Sequence, residues 1–116
     1  MTTTTWELFH QASLALVGVG TVKQRLALAW RHYLHDIDPE TLPRELRSDF
    51  QLLGEMLTCE RAVGGLGVVE ATVRKMSDPQ ACRCAERIVE MFSFLTETQP
   101  HVARSHGLRA ISGGGG

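Results

Sequence analysis

The fold of this chain is decided by its longest uninterrupted helical pattern, Met76-Ser-Asp-Pro-Gln-Ala-Cys-Arg-Cys-Ala-Glu-Arg-Ile-Val-Glu-Met-Phe-Ser-Phe-Leu-Thr-Glu-Thr98. Ser77 is suited to cap this helix, because its hydroxyl can accept from free backbone N–H groups and Gln80 can complete a capping box. Pro79 lies in the first turn, where a missing N–H costs nothing. The stretch therefore predicts a helix that starts near Pro79 and runs to Thr98.

The apolar face of this helix is wide. Its charged residues share one sector, and its apolar residues cover an arc of about 180°, compared with about 100° for an ordinary surface helix. Phe94 lies outside the arc, beside Arg87 and Glu90 on the polar side. The apolar positions are Ala81, Ala85, Ile88, Val89, Met91, Phe92 and Leu95. Such a helix is expected to be central in the fold or to face a second subunit.

Four further segments have helical spacing, and Thr4 and Glu7 supply a capping box for the first of them. These segments are 6–17, 22–37, 43–58 and the shorter 68–76. Strand-like alternation is confined to the ambiguous stretch 62–69. We therefore predict an all-α fold, a small helical bundle of four main helices plus one short helix.

The same spacing predicts which side chains face the core. The second helix should bury Val22, Leu26, Ala29, Trp30, Tyr33 and Ile37. The third helix should bury Leu46, Phe50, Leu53 and Leu57. Trp6 and Leu14 lie off the apolar face of the first helix, and Leu28 lies on the polar side of the second, so these three are expected to add exposed apolar surface.

A chain of 116 residues is long enough for one domain with an independent core. We predict a flexible N-terminal lead over 1–5, a single helical domain over 6–99 and a flexible glycine-rich tail over 100–116. The tail ends in four glycines and has little to bury. Whether it is native or an added linker stays open.

Composition and charge are those of an ordinary globular protein, with a net charge of −1 that offers no global attraction to nucleic acid or acidic membranes. No stretch approaches the roughly 18 apolar residues of a transmembrane helix, and the N-terminus lacks the pattern of a secretory signal. Three cysteines, an odd number, suggest reduced thiols. We expect a cytoplasmic protein without membrane contact.

Charge is unevenly distributed along the chain. Residues 36–60 contain seven acidic side chains and two arginines. Either the neighbouring helices complement this block, or it contacts a basic partner. On the long helix, Arg83 and Arg87 share a face with Glu86 and Glu90, and we expect these four to form a salt-bridged surface.

No catalytic, metal or cofactor site is predicted, and the chain is not expected to be an enzyme. Cys82 and Cys84 are two apart on a helix and point about 200° from each other, so they cannot bind one ion. His32 and His35 are neighbours on a helix, but a structural zinc site needs about four ligands. Sensing of a metal or small ligand through these histidines or thiols is the third hypothesis for function.

The leading hypothesis is a non-enzymatic helical protein–protein interaction module. It would either self-associate, as a homodimer, or act as a small adaptor or inhibitor of another protein. The surplus of apolar side chains motivates it, because contiguous apolar patches mark partner sites and aromatic residues and arginines dominate interfaces. The predicted contact residues are Arg87, Met91 and Phe94.

The alternative is a nucleic-acid-binding transcriptional regulator with a helix-turn-helix-like unit at about 68–92. Its contact residues would be Arg74, Lys75, Gln80, Arg83 and Arg87, of types that read base edges or bind phosphates. Against this hypothesis, Glu86 and Glu90 would face the phosphates, and the chain lacks a basic footprint.

Overall fold

The computed structural model describes residues 4–98, and within them every regular element is helical. The helices are α1 (Thr5–Leu16), α2 (Val22–Ala29, continued by a π-helical turn over Trp30–Leu34), α3 (Arg44–Leu57), α4 (Val68–Lys75) and α5 (Asp78–Thr98). A 3₁₀ turn at Pro39–Thr41 precedes α3. The predicted all-α fold of four main helices plus a short one is confirmed. No helix within 4–98 is long and apolar enough to cross a membrane.

The two predicted capping boxes are formed. At α1, the Glu7 amide donates to Thr4 Oγ1 over 3.1 Å, and the Thr4 amide donates to Glu7 Oε1 over 2.9 Å. At α5, the backbone amide of Gln80 donates to Ser77 Oγ over 3.2 Å, and the backbone amide of Ser77 donates to Gln80 Oε1 over 2.9 Å. Thr4 and Thr5, which belong to the predicted flexible lead, are thus the cap and first residue of α1. The predicted tail at 100–116 lies outside the described residues.

The end of α2 differs from the continuous helix predicted over 22–37. The His35 amide donates to the Trp30 carbonyl over 2.9 Å, which makes the last turn a π turn. A π turn contains more residues than an α turn, so Leu34 rather than Tyr33 returns to the buried face. Leu34 is accordingly fully buried, whereas Tyr33 is half-buried at the edge of the core.

The long helix α5 packs closely against α1 and α2, and α4 packs against α2 and α3. The buried residues of α5 are Ala81, Cys84, Ile88, Met91 and Leu95. Trp6 covers the neighbouring flank, because its ring lies 5.4 Å from that of Phe92 and its Nε1 donates to Thr96 Oγ1 over 3.1 Å. The expectation that Trp6 adds exposed surface is therefore wrong, while Leu14 and Leu28 are exposed as expected.

Phe50 joins α3 to the rest of the core. Its ring centroid lies 5.9 Å from that of Phe9 in α1 and 5.6 Å from that of Trp30. Gly54, one turn later, permits this approach, since a Cβ there would lie 3.2 Å from the Trp30 ring. All four residues of the predicted α3 stripe are buried: Leu46, Phe50, Leu53 and Leu57.

Leu53→Ala tests this core. Leu53 is 0% exposed, and its truncation should lower the free energy of unfolding by about 2–5 kcal/mol through lost burial and a residual cavity. Leu14→Ala is the matched control, because Leu14 is 51% exposed and should change the stability by less than about 1 kcal/mol. Urea denaturation followed by circular dichroism measures both, and equal losses would contradict the described packing.

Candidate functional site

A groove lies between α3 and α5, which pass each other in opposite directions. Met56, near the end of α3, lies beside the N-terminal half of α5, whereas Leu46 and Asp49, near its start, lie beside the C-terminal half. Two cavities of about 370 and 140 Å³ follow one another here and share Arg87. We call this surface the α3–α5 groove. On α5 its border consists of Gln80, Arg83, Arg87, Glu90, Met91 and Phe94.

One end of the groove is basic. Lys75 from α4 and Arg83 and Arg87 from α5 line the larger cavity, and among the described residues that line it Glu60 is the only carboxylate. The Glu60 amide donates to the buried Thr72 Oγ1 over 3.0 Å, which fixes the loop beside α4. The Glu60 carboxylate in turn binds Lys75 Nζ at 3.3 Å. Lys75 therefore has a carboxylate partner within its own cavity, whereas Arg83 and Arg87 have none there.

Arg83 and Arg87 form no ion pair within residues 4–98, where the described salt bridges involve Arg31, His35, Arg47 and Lys75. The predicted salt-bridged surface with Glu86 and Glu90 is therefore wrong. The two arginines line the larger cavity together with Met56 of α3, and Glu90 lines the smaller cavity with Arg87 without forming an ion pair with it. Both arginines are exposed and available to a ligand.

The apolar part of the groove lining is rich in methionine. Met56 and Met76 line the larger cavity, and Leu46, Met91 and Phe94 line the smaller one. The chain contains four methionines, and three of them lie here. Methionine is flexible and polarisable and is common at surfaces that accept varied partners. The groove therefore combines an adaptable apolar lining with a cationic border.

The three predicted contact residues come together in the smaller cavity. Arg87 is exposed, and Phe94 is half-buried with part of its ring against the core. Met91 is only 4% exposed, so most of its side chain belongs to the core. Arg87 and Phe94 thus offer most of the accessible surface of this set.

Four of the five residues of the nucleic-acid hypothesis also line the groove: Lys75, Gln80, Arg83 and Arg87. Arg74 faces a neighbouring cavity beside Arg61 instead. The Gln80 side-chain oxygen is used by the α5 cap, which leaves its amide nitrogen as a possible donor. The two hypotheses therefore address overlapping parts of one surface.

The contribution of α3 was missed by sequence reasoning. Asp49 and Met56 border the groove, and Leu52, one turn before Met56, is 48% exposed on the same helix. A signal was present, because Leu52 and Met56 are apolar residues that lie off the buried stripe of α3. Sequence spacing does not show which other helix such residues approach.

The three thiols occupy different environments. Cys59 and Cys82 are exposed, whereas Cys84 is buried, as expected for residues two apart on a helix. Burial raises the pKa of the Cys84 thiol above its ordinary value of 9.0, although the nearby Arg87 and Arg83 guanidinium groups act in the opposite direction. Cys84 is therefore a core side chain with little thiolate at neutral pH.

The histidines of the metal hypothesis lie on the surface. His32 and His35 are both exposed, and His35 Nδ1 lies 3.1 Å from the Asp36 carboxylate. Among residues 4–98, no group of three or more histidine, cysteine or acidic side chains is arranged to hold a metal ion. His101 and His106 lie outside the described residues.

Comparison with protein-family models, with curated proteins and with solved structures finds no match to this chain.

Thiol labelling tests the environment of the cysteines. In the native protein, Cys59 and Cys82 should react readily with a disulfide reagent at neutral pH, while Cys84 should react far more slowly, because it is buried and its pKa is raised. Its lag should persist as the pH approaches 9.0, the ordinary thiol pKa, and disappear in denaturant. Peptide mapping of the labelled sites measures this, and equal rates for all three thiols would contradict the buried position of Cys84.

Proposed function

We propose that the chain is a non-enzymatic protein–protein interaction module that binds its partner along the α3–α5 groove. The partner is either a second copy, which makes the protein a homodimer, or another protein for which the chain acts as a small adaptor or inhibitor. One observation carries the proposal: Arg83 and Arg87 are exposed, have no carboxylate partner within residues 4–98, and border a cavity that Met56 and Met76 also line.

The chemistry of the groove supports this proposal. Arginine and aromatic residues dominate the energetics of protein interfaces, and Arg87 and Phe94 both line the smaller cavity of the groove. Exposed Leu52 and Met56 extend the apolar surface onto α3. Two exposed free thiols fit a reducing compartment, and we include a cytoplasmic location in the proposal.

The second candidate is binding of nucleic acid. The observation that favours it is the convergence of Lys75, Gln80, Arg83 and Arg87 on one cavity, after a short helix and a tight turn. Glu60 and Glu90 oppose it, because they place carboxylates at both ends of the surface that phosphates would contact.

Site-specific photo-cross-linking tests the interaction module. A photoreactive residue at Met56, which is 39% exposed on the groove, should give a protein adduct in the cells that express the chain. The same residue at Leu28, which is 41% exposed on α2, is the matched control and should give none. Mass spectrometry then identifies the adduct as a second copy or as another protein.

The adduct at position 56 should disappear when Arg83→Glu and Arg87→Glu are introduced together, since both guanidinium groups border the same cavity. Equal adducts at positions 56 and 28, or an adduct that survives both reversals, would count against the groove as the binding site.

Fluorescence anisotropy with a labelled duplex tests the second candidate. If the groove serves protein binding, the full chain should show no saturable binding to mixed-sequence DNA at low ionic strength. Nucleic-acid binding would instead weaken steeply with salt, by a slope of about −0.9 for each phosphate contact. Loss of such binding in Arg83→Ala and Arg87→Ala, but not in Arg44→Ala away from the groove, would favour the nucleic-acid candidate over the module.

A further inference from the structure

Four residues of α5 form one stripe along its exposed side: Arg83, Arg87, Glu90 and Phe94. Their spacing of four, three and four residues is the spacing with which coiled-coil helices face each other. Arg83, Arg87 and Glu90 are exposed and Phe94 is half-buried, so the stripe is accessible. All four residues line the α3–α5 groove.

The side chains of the stripe are complementary to those of a second, antiparallel copy of the same stripe. When two such helices run antiparallel about a two-fold axis that passes between Ile88 and Val89, Arg87 of each lies opposite Glu90 of the other. Arg83 of each then lies opposite Phe94 of the other. The first contact is a charge-assisted hydrogen bond, and the second is a cation–π contact. Because the axis repeats each contact, the dimer gains both contacts twice.

We propose that a second copy of the chain occupies this face, in a two-fold symmetric dimer with the two α5 helices antiparallel. This inference rests on the interaction module proposed above and names its partner. The dimer supplies carboxylates to Arg87, which has none within residues 4–98. A parallel pairing is disfavoured, because it would place arginine over arginine and glutamate over glutamate.

The sequence that follows α5 suits this face less well than a second copy does. Residues 99–116 follow α5 directly and contain Arg104 and Arg109 but no acidic residue. Their charge has the same sign as that of Arg83 and Arg87, which disfavours binding between them. Met56 of α3 lines the same groove, and exposed Leu52 precedes it by one helical turn, so both can add apolar contact between the copies.

Charge reversal and its reciprocal test the dimer by sedimentation equilibrium of the full chain. Arg87→Glu and Glu90→Arg should each raise the dimer dissociation constant by about tenfold to a hundredfold, because each places like charges together at two symmetric positions. The double variant R87E/E90R should dimerise as the original chain does. A mixture of the two single variants should form a heterodimer, since every reversed contact is again complementary.

Glu86→Arg is the matched control. Because position 86 flanks the stripe, this variant should weaken dimerisation less than Glu90→Arg does, and Asp36→Arg, which makes the same charge change after α2 and outside both cavities of the groove, should leave dimerisation unchanged. Circular dichroism of each variant verifies that α5 is still folded, which separates loss of association from loss of structure.

A wild-type chain that stays monomeric at its solubility limit would overturn the inference, as would a double variant that associates no better than the single ones. The proposed interaction module would still be supported after either outcome if the cross-link at position 56 joins the chain to a different protein and depends on Arg83 and Arg87. Absence of any arginine-dependent adduct would remove both proposals.

Discussion

Burial of α5 is the constraint on which the remaining structure depends. About half of its circumference is apolar, which is more than one neighbouring helix can cover. α1 and α2 pack against it, and Trp6 extends this cover across the ring of Phe92. α3 is anchored elsewhere, through Phe50, to the rings of Phe9 and Trp30. The flank of α5 that faces α3 is consequently lined by cavities, and the groove follows from the way the core is filled.

Much of the fold could be predicted because its signals are local. A capping box depends on side chains three residues apart, so Ser77 and Gln80 could mark the start of α5 without knowledge of the fold. A buried stripe depends on helical spacing, and the α3 stripe is correct at all of its positions. The π turn after α2 could not be predicted in this way. The additional residue in this turn places Leu34 instead of Tyr33 on the buried face, while the apolar pattern of the sequence stays almost the same.

Less of the candidate site could be predicted, since it depends on contacts between helices. Phe94 is conspicuous in the sequence as an aromatic residue among charges, and this was enough to mark one border of the groove. The opposite border, with Asp49 and Met56, depends on which helix lies beside α5. Helical spacing also could not decide between partners for Arg87, because a guanidinium group reaches both the glutamates of its own helix and the space beside the next one.

The absence of an intrachain ion pair at Arg83 and Arg87 in the described structure affects the energetics of binding. An arginine that is already paired must give up its carboxylate before it contacts a ligand, and the new pair then replaces an old one. Arg83 and Arg87 give up only water, so a carboxylate or aromatic ring brought to them forms a new contact at the cost of desolvation and without breaking an existing ion pair. Lys75 provides the contrast within the same cavity, because Glu60 already holds it at 3.3 Å. Specificity of the groove should therefore arise from its arginines, and the methionine-rich lining should set how closely a partner fits.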